Sequence, residues 1–94
     1  MFYVYVLYSE KGRFYIGYSS DLKKRMHDHT AKRVASTKNA KYRLVYYEAY
    51  CNKMDAVMRE KFLKSGSGHK YLIKQLHHFL TEDAESHHNN AGVV

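Results

Sequence analysis

The sequence predicts an α+β domain: a small three-stranded, mainly antiparallel sheet flanked by helices, in the order β-β-α-β-α-α. Three observations predict it. Two runs rich in β-branched and aromatic residues, MFYVYVLYS and RFYIGYS, are separated by only EKG, and a third, RLVYYEAY, lies at 43–50. Segments with apolar residues at helical spacing precede and follow that third run. Ser20 and Asn52 stand at the starts of two of them, where a capping oxygen is wanted.

The first strand is apolar on both faces, which places it in the centre of its sheet. The loop Glu10-Lys11-Gly12 puts glycine third, where a hairpin of this length needs a left-handed residue. Pairing Ser9 with Arg13 then sets Leu7 opposite Tyr15 and Tyr5 opposite Gly17. Tyr3, Tyr5 and Tyr15 share one face; Phe2, Val4, Val6, Phe14 and Ile16 take the other. Ser20 is expected to cap a helix that begins at Asp21 and ends near Ala31, with Leu22, Met26 and His29 on one stripe and Arg25 beside it. Residues 32–42, KRVASTKNAKY, have no apolar period and read as a basic loop. After the third strand, Asn52 caps a helix over 53–65 whose apolar set is Met54, Val57, Met58, Phe62 and Leu63. SGSG at 65–68 ends it. A last helix over 69–81 buries Leu72, Ile73, Leu76, Phe79 and Leu80. The remainder, EDAESHHNNAGVV, is polar, so residues 1–81 are expected to form the domain and 82–94 a disordered tail.

Ninety-four residues leave room for one small core, and 45% hydrophobic residues are enough to build it. No apolar run is long enough to cross a bilayer, and no basic leader with a cleavage site opens the chain, so a cytoplasmic protein is expected. The lone Cys51 agrees with a reducing compartment. Residues 22–43 hold eight basic side chains against the single acid Asp28, which accounts for the whole net charge of +7. So concentrated a patch attracts a polyanion. Nucleic acid, DNA first, is the expected partner, bound by Lys23, Lys24, Lys32, Arg33, Lys38 and Lys41. A membrane surface is not expected, because no basic helix carries a wide apolar face. No protein partner is identifiable. Adjacent histidines such as His77-His78 point about 100° apart on a helix and make poor paired metal ligands.

Tyr3-Val4-Tyr5, followed after nine residues by Tyr15-Ile16-Gly17, resembles the paired motif of the GIY-YIG nuclease family. The flanks are similar too: YIGYSSDLKKRMHDH carries Arg25 on the next helix and His29 four residues later, and DAVMREKFLKSG offers Glu60 where the family has its metal-binding glutamate. STK and KYL look like segments of the small bacterial members, and the resemblance covers residues 2–80. The chain departs from the pattern at Tyr3, where the family name has glycine, and at Lys70–Leu76, which lacks the asparagine of several members.

The resemblance implies a metal-dependent endonuclease that hydrolyses phosphodiester bonds, with Tyr5, Tyr15, Arg25, His29 and Glu60 as catalytic residues. Glu60 is then the ligand of one divalent ion, Mg2+ or Mn2+, which keeps most of its waters. Arg25 can fork onto phosphate oxygens. Tyr5 or Tyr15 can take the proton of the attacking water, a task for which a phenol near pKa ~10 needs a nearby cation. His29 can assist. Gly17 is expected to leave space beside Tyr5 for substrate or metal. The alternative is a nucleic-acid-binding module on the same fold that cleaves weakly or not at all.

Overall fold

β1 (Phe2–Ser9) is the middle strand of an antiparallel sheet ordered β2-β1-β3, between β2 (Phe14–Ser19) and β3 (Tyr42–Tyr50). The structure is a computed structural model. It describes the backbone of residues 1–32, 37, 38 and 40–93, and side chains within these as far as residue 85. The helices are α1 (Leu22–Thr30), α2 (Lys53–Leu63), α3 (Gly66–Gln75) and α4 (His77–Val93). Two compact units divide the chain, Met1–Phe62 and Leu63–Val94.

In the first unit the hairpin has the expected register. Ser9 N–H donates to Arg13 C=O at 2.9 Å, Tyr5 faces Gly17 and Leu7 faces Tyr15. Gly12 adopts φ 79°, the left-handed conformation that glycine enters without steric cost. Ser9 is buried, and its hydroxyl accepts from the backbone N–H groups of Lys11 and Arg13, which ties the turn to the strand end. Central placement matches the apolar pattern of β1: Val4, Tyr5, Val6 and Leu7 are all buried. On the β1–β3 side the pairing slips by one residue between Val6 and Leu7. Val6 faces Tyr46 and Leu7 faces Leu44, so Val45 is an extra residue in β3. The bulge brings Leu44 and Tyr47 onto the face of Tyr3 and Tyr5, although strict alternation would separate them.

The opposite face carries a polar anchor. Arg59 of α2 forks onto Glu48, Nε to Oε1 at 2.9 Å and Nη2 to Oε2 at 3.1 Å, and the hydroxyls of Tyr46 and Tyr50 donate to the same carboxylate. Burial would raise the Glu48 carboxyl, but the Arg59 fork and the two phenols outweigh it and hold it below the usual range. Arg59 also lies 5.2 Å from the Phe62 ring centroid.

Several details differ from the sequence expectation. Asp21, not Ser20, caps α1, its carboxylate accepting from Lys24 N–H at 3.0 Å. The hydroxyl of Ser19 accepts from Asp21 N–H and fixes that cap. On α2 the expected apolar set is largely outside: Met54, Met58 and Phe62 are exposed, and Ala56 is the buried residue of this unit's part of the helix. A small side chain lets α2 approach its neighbours, while the long ones at i, i+4 and i+8 lie along an outer stripe.

In the second unit SGSG does more than end α2. Ser65 caps α3, its hydroxyl accepting from Gly68 N–H at 3.1 Å. The helix expected over 69–81 is thus two helices, with the break at Leu76. Leu63, Gly68 and Leu72 are buried, Ile73 is exposed, and Leu76, Phe79 and Leu80 are half-buried. The backbone of 82–93 is helical where the polar composition suggested a disordered tail. The segment contains no proline and its one glycine, Gly92, stands near the end, so nothing in it breaks a helix.

Candidate active site

Tyr5 sits at the centre of the face shared by the three strands, flanked by Gly17 on β2 and Tyr47 on β3. It is fully buried. A Cβ at position 17 would lie 2.3 Å from both Cζ and the hydroxyl oxygen of Tyr5. The space above Gly17 is therefore filled by the Tyr5 ring itself, which corrects the expectation that the glycine leaves room for substrate or metal.

The Tyr5 hydroxyl lies 3.0 Å from His29 Nε2 and accepts from Arg25 Nε at 3.2 Å. Both partners come from α1, four residues apart and so on one face of the helix. His29 Nδ1 lies 2.8 Å from the hydroxyl of Thr37. Donor and acceptor chemistry assigns the protons. Arginine only donates, so the one proton of the buried phenol needs an acceptor, and His29 Nε2 is the acceptor beside it. The neutral imidazole then carries its proton on Nδ1 and donates to Thr37. His29 stays neutral because burial, followed by the charge of Arg25, lowers its pKa below the ordinary 6.5, while Asp28 opposes the shift only in part.

Thr37 was not singled out in the sequence, yet it is 2% exposed and completes this chain of polar contacts. It is returned to His29 by the end of α1. Lys32 adopts φ 59° and its N–H donates to His29 C=O at 3.0 Å, a left-handed helix stop. The Lys32 ammonium donates to Lys38 C=O at 3.4 Å, across the loop beside Thr37.

Tyr15 stands next to this cluster but is only half-buried. Its ring centroid is 6.4 Å from Tyr5, 5.2 Å from His29 and 6.4 Å from Tyr42, the last two edge-to-face. Burial raises the Tyr5 phenol above its ordinary 10.0; the Arg25 hydrogen bond opposes this without overcoming it, and the neighbouring Tyr15 adds to the rise. Arg25 is fixed as a cation first by its hydrogen bond to Tyr5, with burial opposing and both phenols supporting its charge. Glu60 of α2 is half-buried, and its charge acts on Tyr5 as the weakest of the influences on that phenol. Tyr5 thus meets Tyr15, Arg25 and His29, Tyr15 also meets His29, and Glu60 lies within electrostatic reach of Tyr5.

Among the described residues no three of His, Cys, Asp and Glu gather into a metal cage. A lone carboxylate such as Glu60 could hold a hard divalent ion only if the ion kept most of its waters. Of the basic residues expected to meet nucleic acid, Lys23, Lys24, Lys32, Lys38 and Lys41 are exposed. Lys24 also pairs with Asp28 at 3.3 Å. Arg33 lies outside the described residues. Among the described residues no helix is long and apolar enough to cross a membrane.

Comparison with known proteins shows the family of the chain. A family model described as the GIY-YIG catalytic domain matches residues 1–72. A UPF0213 protein of Limosilactobacillus reuteri is 34% identical over 67 residues, covering 67% of this chain and 70% of its own. A UPF0213 protein of Pediococcus acidilactici is 37% identical over 70 residues, covering 70% and 71%. The solution structure of a UPF0213 protein from Bacillus halodurans superposes with a TM-score of 0.51 at 29% identity, over 80% of this chain and 85% of that one. With the paired tyrosine motif on adjacent strands and Arg25 and His29 closing over it, the chain belongs to the GIY-YIG family, a family of nucleases, and its relatives are UPF0213 proteins.

Proposed function

We propose that this protein is a divalent-metal-dependent endonuclease that hydrolyses phosphodiester bonds in nucleic acid, with DNA as the leading substrate. The observation that carries the reading is the position of Arg25. Its Nε is held by the buried Tyr5 hydroxyl. Its two Nη groups remain to fork onto a phosphate, with no rearrangement of the side chain's anchor.

Burial divides the work between the two phenols. Tyr5 is closed off and its pKa is raised, so it is a positioning residue that holds Arg25 and His29. Tyr15 is the partly open phenol and is the group that meets the attacking water. Tyr15 takes the water's proton as a phenolate, its own proton having first gone to solvent, and returns to the neutral phenol; the Arg25 cation attracts the anion from which that step starts. His29, kept neutral, accepts a hydrogen bond from the Tyr5 hydroxyl and keeps that hydroxyl's lone pair turned to Arg25.

Glu60 would hold the divalent ion, and a bound ion would supply charge to stabilise the phosphorane-like transition state and the leaving oxygen. The exposed lysines of residues 23–41 would neutralise the flanking phosphates. The second reading, a binding module without cleavage, is favoured by the burial of Tyr5, which removes one of the two candidate bases.

Incubation of the full chain with labelled single-stranded, double-stranded and branched DNA and with RNA tests the proposal. Cleavage of at least one substrate with Mg2+ or Mn2+, abolished by a chelator, is expected. Binding with no metal-dependent cleavage of any substrate would leave the binding-module reading.

A further inference from the structure

Beside Tyr5, on the same face of the sheet, lies an open groove of about 580 Å3. Its walls are Tyr3, Leu44 and Tyr47 from the sheet and Leu22 and Met26 from α1. Tyr3 stands on β1 and Tyr47 on β3. In the structure their rings meet edge-to-face at 6.2 Å, and Tyr47 remains 53% exposed and Leu44 37% exposed. The β3 bulge at Val45 is what puts Leu44 and Tyr47 on one face.

The groove adjoins the site through neighbouring residues. Tyr47 is the cross-strand partner of Tyr5, and Met26 follows Arg25 in α1. Its volume falls within the ~300–1,000 Å3 of small-ligand pockets. Its rim holds Ser20, Asp21 and Lys23. The Asp21 carboxylate at this rim disfavours a phosphate inside the groove, whereas the exposed Lys23, Lys24, Lys41 and Arg43 favour phosphates outside it.

We propose that this groove is a nucleobase seat: an unpaired base of the substrate strand inserts between Tyr47 and the Leu22–Met26 side of α1. Its phosphates run along the flanking lysines toward Arg25. The inference rests on the nucleic-acid reading. An apolar, aromatic slot with charge outside it suits a base, since a base offers a π-face whatever its identity. A base held in a duplex is stacked on its neighbours and cannot enter the slot.

The test uses the full chain in EDTA, so that binding is read without cleavage. Fluorescence anisotropy compares a labelled short oligothymidylate, an abasic chain with the same number of phosphates, and a blunt duplex of equal length. The seat predicts that the wild type binds the oligothymidylate about 5- to 150-fold more tightly than the abasic chain. Tyr47→Ala should remove that ratio and leave binding of the abasic chain unchanged, and Tyr47→Trp should keep it. Equal affinity for the first two probes overturns the seat, as does a ratio that survives Tyr47→Ala or a duplex affinity with the same dependence on Tyr47. Each of those outcomes leaves nucleic-acid binding intact. Binding to none of the three probes overturns the seat together with the reading beneath it.

Discussion

The ring of Tyr5 occupies the volume that a side chain at Gly17 would need: a Cβ there would come within 2.3 Å of the Tyr5 hydroxyl oxygen. The glycine of the second motif and the tyrosine of the first are therefore one steric unit, joined across the β1–β2 ladder. Gly17→Ala should force the ring off its position and separate the hydroxyl from Arg25 and His29. Overpacking of this kind costs about 1–3 kcal/mol. Chemical denaturation should read that loss, and near-ultraviolet circular dichroism should report a changed tyrosine environment even at temperatures where the variant remains folded.

Thr37 should matter more than its place in a polar loop suggests. Thr37→Val keeps the shape and removes the acceptor of His29 Nδ1–H, leaving a buried donor unpaired at a cost of about 1–3 kcal/mol. Thr37→Ser should restore most of it. The nitrogen chemical shifts of His29 should show the Nδ1–H tautomer in the wild type and in the serine variant.

The lowered pKa of His29 fixes the sign of a pH effect. The unfolded chain takes up this proton near pH 6.5, whereas the folded chain does so only at lower pH. Between those values the unfolded state binds more protons, so stability falls as pH falls below 6.5. Thermal melts at pH 7.5 and pH 5.5 should show a larger loss for the wild type than for His29→Gln, which has no proton to take up there.

Nucleic-acid affinity should depend steeply on salt, because each neutralised phosphate releases counterions. Replacing Lys32, Lys38 and Lys41 by alanine should flatten the slope of log K against log salt on duplex DNA by up to ~0.9 for each phosphate that is no longer neutralised. An unchanged slope would move the binding surface off this segment. Lys32→Ala should in addition cost some stability, since it removes the bond to Lys38 C=O.

The hairpin was legible because three things agreed: the length of EKG, the glycine at its third position, and alternation on both sides. The register followed residue by residue. β3 carried no such signal. The extra residue at Val45 follows from packing against β1, and with it came the placement of Leu44 and Tyr47. Thr37 could not be picked out of KRVASTKNAKY, since its position beside His29 depends on a left-handed Lys32 that nothing in the local composition demands. The Glu48 anchor could have been found: Tyr46, Glu48 and Tyr50 alternate, so a carboxylate lies between two phenols on one face of the strand. The outer stripe of α2 misled because methionine and phenylalanine outweigh a buried Ala56 in any apolar count.

The central claim is that Tyr15, set beside Arg25 and served by an ion on Glu60, is the phenol that meets the attacking water. The most direct measurement is the single-turnover rate of metal-dependent cleavage for the wild type, Tyr15→Phe and Glu60→Gln on one substrate, with binding followed in parallel. Tyr15→Phe removes only a hydroxyl and should bind as the wild type does while its rate falls about 10²-fold or more, the scale of general acid–base catalysis. Glu60→Gln should abolish cleavage and bind at least as well, since it removes a negative charge. Cleavage by either variant at the wild-type rate would contradict the mechanism.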